Sequence, residues 1–303
     1  MHLKDTIKKL LPTKVFGFVR DLLYPEKIHI IEQRLSSLFH TYYKDVASPF
    51  VSQKTAFKNA EFKVYSKHGG DGILLYIFSK IGVANYMAVE MGIENGTECN
   101  TANLAINFGW KALLIDANKE WVGQAKNFFA LQLGNIASNV EVVECFVTAE
   151  SINPLFAKTQ LKGEIDLLSI DVDSNDYWIW KAITEINPRV VVIEYNATYG
   201  SSRSATITYD PNFHFQENSK KYPLYFGASL SALVKLGKEK GYILVACDTH
   251  GHDAYFVRSD VAHGKFIELS AAEAFYANPY TLGAIGDIET QYAQIKHLEF
   301  TQI

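Results

Sequence analysis

Four acidic side chains stand at the ends of two β-branched runs. Ser169-Ile170-Asp171-Val172-Asp173-Ser174-Asn175-Asp176 closes one run with three carboxylates, and Val192-Ile193-Glu194-Tyr195-Asn196 closes the next with a fourth carboxylate and an amide. Like charges this close stay ionised together only beside a cation, whether a proton, a metal, a lysine or a charged cofactor. Donor sets made only of oxygen suit Mg²⁺, Mn²⁺ or Ca²⁺ and not zinc. Such an ion on Asp171, Asp173 and Glu194 would lower the pKa of a bound hydroxyl and hold it in line for reaction. Without an ion, one carboxylate would take the hydroxyl proton as general base. Asp173 and Glu194 are the expected catalytic pair. The plainer alternative is that Asp173 or Ser174 caps the following helix while Asp176 sits near its positive end.

A second group lies earlier in the chain. Glu90-Met91-Gly92-Ile93-Glu94-Asn95-Gly96 follows a short apolar run, as a strand-to-helix turn would, and glycine there lets the backbone approach a ligand. The turn has neither a full G-x-G-x-x-G nor the lysine of a P-loop. Its carboxylates, with Glu98 just beyond, oppose a pyrophosphate and tolerate a cationic, phosphate-free cofactor, of which S-adenosylmethionine is the obvious candidate. Asp116 closes the next run, where an acid can accept the two hydroxyls of a cofactor ribose. Helix capping is the competing role, and Asn118 competes for it. His250-Gly251-His252-Asp253 and His68-Gly69-Gly70-Asp71-Gly72 add imidazoles on loops expected to fall near the same rim, and His214 lies in the polar stretch after Ala197. His252 joins the catalytic set as a group that titrates near neutrality. No cysteine lies at a spacing that would make these histidines a zinc site.

These groups need a scaffold that gathers strand ends, and the alternation of β-branched runs with helical patterns predicts a parallel sheet. Strands are expected at residues 86–91, 112–116, 140–147, 165–171, 190–195, 242–247 and 254–258, the last two as an antiparallel hairpin. Helices are expected at 71–81, 100–108, 119–133, 177–185 and 228–240, with Tyr177, Trp178, Trp180 and Ile183 forming a buried helix face. The polar stretch 197–225 reads as a binding loop or lid. Residues 264–303 read as helical, capping the sheet or joining copies of the chain. Residues 1–45 carry a basic amphipathic stretch, read as helix packed on the domain or on a partner.

Composition sets the outer limits. The 303 residues are 48% hydrophobic and 20% charged, enough for a sizeable core. A formal net charge of -4 gives no general reason to expect nucleic acid. Cys99, Cys145 and Cys247 are odd in number and widely spaced, which fits a reducing cytoplasm and thiols used as small core residues. No run is long enough for a membrane span, and no signal peptide is expected.

With these segments in view, the chain resembles the class I S-adenosylmethionine-dependent methyltransferases, and among them the FkbM-like branch. The likeness is carried by residues 65–74, 90–96, 168–173 and 192–196, and covers roughly residues 60–260. It implies an α/β, Rossmann-like sheet of seven strands with the last antiparallel. A helical extension would occupy 1–60, the methyltransferase domain 61–262, and a helical tail 263–303. It also implies a cofactor cleft at the ends of the first four strands, with methyl transfer to a hydroxyl of a sugar, glycan precursor or secondary metabolite. Glu90, Gly92, Gly96 and Asp171 would line the cofactor, Asp116 its ribose, and Thr148 or Glu150 its adenine. The relatives place a glutamine and an acid where Lys67 and Gly70 stand, and a glycine where Ser174 stands.

The expected protein is therefore a cytoplasmic S-adenosylmethionine-dependent O-methyltransferase of polysaccharide biosynthesis, with Mg²⁺ or Mn²⁺ as the optional ion. Its partner would be a small-molecule or glycan acceptor. The competing readings are an NAD-type dehydrogenase and a catalytically silent methyltransferase-like subunit that binds a partner through residues 1–45.

Overall fold

The computed structural model describes residues 51–159 and 161–303, so the readings for residues 1–50 lie outside the described residues. Ser52–Ile303 forms one compact unit. It begins with α1 (Gln53–Ala60) and α2 (Gly70–Ile81), which pack on each other. Then come β1 (Met87–Met91), α3 (Ala102–Phe108), β2 (Lys111–Asp116), α4 (Lys119–Leu133) and β3 (Val140–Glu144). They are followed by α5 (Ile152–Lys158), β4 (Gly163–Ile170), α6 (Asp176–Ala182) and β5 (Ile186–Glu194).

The seven-stranded sheet has the order β3-β2-β1-β4-β5-β8-β7, where β7 is Tyr242–Cys247 and β8 is Asp253–Arg258. β1 to β5 pair in parallel, whereas β8 pairs antiparallel with both β5 and β7. This is the Rossmann-like arrangement expected from the sequence. The order reverses between β1 and β4, and at such a switch point the loops leaving the strand ends diverge and leave a crevice.

The strands are β-branched and apolar because both faces are covered. Successive residues point to opposite sides, so Val191 and Ile193 join Trp180, Leu233 and Phe256 on one face. Val190 and Val192 join Ile73, Ile77 and Tyr255 on the other. At the strand starts, Asp166 accepts the backbone N–H groups of Ala84, Asn85 and Tyr86 at 2.7–2.9 Å and pairs with buried Arg189 at 2.7 Å. That end of the sheet is therefore closed by internal pairing.

Several boundaries differ from the sequence expectation. β3 stops at Glu144, and α5 lies where the sequence expectation has no element; its Pro154 falls in the first helical turn, where proline is tolerated. β5 starts four residues early, through Pro188, which pairs with β4 where β8 has not yet joined the other side. The polar stretch contains β6 (Ala205–Ile207) and α7 (Phe215–Asn218), followed by α8 (Leu230–Glu239). After β8 come α9 (Ser259–Ala262), α10 (Ala271–Ala274), α11 (Pro279–Ala284) and α12 (Ile288–Ile295). The tail is not wholly helical. It ends in β9 (Phe300–Gln302), which pairs antiparallel with β6. That pairing ties the binding loop to the end of the chain.

Candidate active site

The crevice at the carboxyl ends of β1, β2 and β4 is a cleft of about 460 Å³. Gly92, Glu94, Asp116, Phe146, Asp171 and Asp173 are among its walls, and the Phe213 to Glu217 segment covers one side. A smaller space of about 30 Å³, lined by Glu90, Asn100, His252 and Asp253, shares Lys67, Gly92, Glu94 and Asp171 with it.

The glycine turn is shaped by its own neighbours. Gly92 has φ +80, and a Cβ there would lie 1.5 Å from the Asp171 carbonyl oxygen. Gly96 packs against Phe129 of α4, where a Cβ would come within 2.8 Å of the ring. Both glycines are thus required by contacts inside the protein, a reason the sequence reading did not supply. Several N–H groups of this turn are also spent internally. Gly92 donates to the Ile115 carbonyl, Glu94 to Asp116, Gly96 to the Ile93 carbonyl, and Asn100 and Thr101 to the two oxygens of Glu90. Glu90 therefore braces the start of α3 from beneath the cleft.

Asp116 is held by two acceptances, from Glu94 N at 2.8 Å and Asn118 N at 2.7 Å. Asn118 caps α4, accepting from Glu120 and Trp121, which leaves Asp116 free of the capping role. Thr148 is displaced from its expected place. Its hydroxyl accepts from Ser151 N at the start of α5, and the cleft wall after β3 is made instead by Cys145, Phe146 and Val147. Glu150 likewise pairs with the Tyr209 hydroxyl at 2.5 Å. The shift follows from β3 ending early, which turns residues 145–147 inward across the sheet edge.

The carboxylates at the ends of β4 and β5 do meet. Asp171, Asp173 and Glu194 each offer an oxygen, and these lie within 4.8 Å of one another. Asp173 takes a left-handed backbone, φ +54, and Glu94 takes φ +50, so two cleft residues sit where non-glycine residues rarely do. Burial, opposed by His252 and reinforced by Asp173, pushes the Asp171 carboxyl up to about 7. Burial and the neighbouring Asp171 and Asp173 charges push Glu194 well above the usual carboxylate range. Asp176 plays the structural part foreseen as its alternative, accepting Val172 N and Ser174 N at 2.8 and 2.9 Å.

His252 and Asp253, on the turn into β8, flank this rim. His252 Nε2 lies 3.1 Å from Glu194 Oε1, and Nδ1 lies 3.4 Å from Asp253 Oδ1. Burial opposes its charge, but the Asp253 hydrogen bond and the charges of Asp171, Asp253 and Asp248 prevail and raise it to about 9. At neutral pH His252 is a cation and donates protons, so it is a poor general base. His68 stacks on His250 with ring centroids 4.6 Å apart and lies 5.1 Å from His252, as the common-rim expectation required. His214 sits on the covering segment, 4.6 Å from the Phe146 ring.

Lys67 escaped the sequence reading as a functional residue. It lines both spaces, and Asp171, Glu194, Asp173 and Glu94 raise its pKa against the effect of burial. Among the described residues it forms no ion pair, leaving its ammonium available inside an acidic cleft. The only sequence signal was a lysine where the relatives carry glutamine. Gly70 is explained too. A Cβ there would lie 2.5 Å from Asn100 Oδ1 and 2.7 Å from the Tyr255 hydroxyl, so a side chain would have to displace both, while the neighbouring Asp71 gathers the N–H groups of residues 64–66.

No family model and no curated protein matches the chain. Among solved structures, it is similar to geranyl diphosphate C-methyltransferase from Streptomyces coelicolor, at 12% identity and TM-score 0.37, over 56% of this chain and 60% of that one. The chain thus spans less than two thirds of that protein's length. Magnesium protoporphyrin IX methyltransferase from Synechocystis, solved with bound SAM, gives 10% identity and TM-score 0.39, over 63% and 78%. The N-terminal domain of EvdMO1 with bound SAH gives 13% and 0.39, over 63% and 80%. Likeness this loose carries no argument about activity. Among the described residues, no helix is long and apolar enough to cross a membrane.

Proposed function

We propose that this chain is an S-adenosylmethionine-dependent O-methyltransferase of the FkbM-like kind, acting on a hydroxyl of a sugar, glycan precursor or secondary metabolite. The observation that carries this reading is the chemistry of the first turn. Several of its backbone donors are already used, and Glu94, Asp116, Asp171 and Asp173 face the cleft. A pyrophosphate would find repulsion and few donors there, whereas a sulfonium and an ammonium would be welcome. The volume falls within the roughly 300–1,000 Å³ of small-molecule sites. Three free thiols fit a cytoplasmic setting.

Bound there, S-adenosylmethionine would supply an electrophilic methyl group. Lys67 would neutralise its carboxylate, Asp116 would accept from its ribose, and Phe146 and Val147 would cover its adenine. The acceptor hydroxyl would lie at the rim, with its proton passing to the Asp171, Asp173 and Glu194 group as the new carbon–oxygen bond forms and the sulfonium–methyl bond breaks to leave S-adenosylhomocysteine. With no cation bound, burial pushes the Asp171 carboxyl up to about 7, which suits it to take a proton at neutral pH. His252, held charged by Asp253, steadies Glu194.

Calorimetry with S-adenosylmethionine, S-adenosylhomocysteine and NAD⁺ tests the cofactor. Binding of the first two and not the third is expected, and no heat at millimolar S-adenosylhomocysteine would reject the reading. A screen of nucleotide sugars and glycan intermediates with labelled methyl donor would then find the acceptor. Cofactor binding without turnover on any of them would favour the silent-subunit alternative.

A further inference from the structure

The carboxylates of this protein differ in what they accept. Glu90, Asp71, Asp116, Asp166, Asp176 and Asp248 each accept two or more backbone N–H groups. Asp171, Asp173 and Glu194 accept none among the described residues, although their oxygens converge within 4.8 Å. Glu194 is 4% exposed, and its Oε2 has no hydrogen-bond partner. An orphaned, buried carboxylate oxygen is strongly destabilising unless a cation or donor meets it. His252 reaches only Oε1, and Lys67 makes no ion pair with any of the three.

The structure assigns Asp171, Asp173 and Glu194 as the protein ligands of a hard divalent cation. The donors are all oxygen, which favours Mg²⁺, Mn²⁺ or Ca²⁺ over zinc. Oxygens up to 4.8 Å apart can span the shell of Ca²⁺ at about 2.3–2.6 Å per bond, whereas Mg²⁺ at about 2.0–2.1 Å would draw them inward by roughly half an ångström. Three protein ligands leave about three positions of an octahedral shell open. Two neighbouring oxygens of the acceptor would fill two of them, so the acceptor class is one with a chelating pair, such as a vicinal diol. This last step rests on the methyl-transfer reading. The cation site itself does not.

The test uses the full chain, stripped with EDTA and without methyl donor. Millimolar Mn²⁺, Mg²⁺ or Ca²⁺ should raise the melting temperature by about 5 °C at concentrations near a hundred times Kd, since binding to the folded state alone stabilises it. Asp173→Asn and Glu194→Gln should abolish that shift. Because either variant could fail to fold, Mn²⁺ calorimetry on the wild-type chain provides an independent reading, with about one Mn²⁺ per chain displaced by Ca²⁺. Three outcomes would overturn the assignment: no shift and no Mn²⁺ binding, an equal shift in both variants, or a response to Zn²⁺ alone. A metal response without S-adenosylhomocysteine binding would instead reject the methyl-transfer reading and leave the cation site standing.

Discussion

Replacing Gly92 by alanine tests how the first turn and the carboxylate rim are coupled. The new Cβ would lie 1.5 Å from the Asp171 carbonyl oxygen and 2.6 Å from its carbon. Restoring an ordinary contact means parting the tips of β1 and β4 by about 2 Å, because close-packed interiors have no slack to absorb it. The left-handed backbone, φ +80, adds its own cost of roughly 1–2 kcal/mol for a residue with a Cβ. Overpacking typically adds about 1–3 kcal/mol, giving a loss of roughly 2–5 kcal/mol. Gly109 is the internal control. Its φ is +71 and a Cβ there meets nothing within 4 Å, so Gly109→Ala should lose only the backbone share. Urea unfolding of both variants measures the difference. Because Asp171 is displaced in the first variant alone, its response to Mn²⁺ should also weaken. Equal losses in the two variants, with the Mn²⁺ response intact in both, would refute the claim that packing against Asp171 demands this glycine.

Asp166→Ala should cost about 3–5 kcal/mol in urea unfolding, because it leaves Arg189 buried without its partner and frees three backbone donors. Its S-adenosylhomocysteine affinity should be unchanged, since it lies at the opposite end of the sheet. Asp116→Ala should weaken that affinity by about ten- to hundredfold, the loss of charged hydrogen bonds, with calorimetry as the check. Burial, then the charges of His252 and His250, lower the His68 pKa to about 4. Its unfolded value is about 6.5, so the unfolded chain binds more protons between these limits. The stability it contributes is complete above pH 6.5 and is lost as pH falls through 4. His68→Gln should therefore flatten the acid side of the pH–stability curve, and parallel curves for the two proteins would contradict the shift.

The central sheet was legible because both of its faces are covered. β1, β2 and β4 read as apolar runs within one or two residues of their observed bounds, while α4 and β7 matched their expected limits. What escaped depends on contacts remote in sequence. β6 and β9 are three residues each, and nothing local marks Ala205–Ile207 as a strand until Phe300–Gln302 returns to pair with it. Among site residues, the rim carboxylates were visible as a cluster of one charge at strand ends. Lys67 was not, because a lone lysine in a polar segment looks like any solvated side chain until the fold places acids around it. Residues 145–147 read as a continuation of β3 because they are apolar, whereas they line the cleft and Thr148 follows them.

The same distribution of acids explains why the glycine turn is a weaker guide to function than the rim. Glu90 and Asp71 would look catalytic by burial and position alone, yet each is committed to backbone donors that shape the cleft. Removing one of them should disturb geometry first and chemistry second. Asp171, Asp173 and Glu194 have no such structural duty, so neutralising Asp173 ought to change ligand response far more than fold stability. Among the carboxylates, this separation of stability from ligand response distinguishes residues that build the cleft from those that act within it.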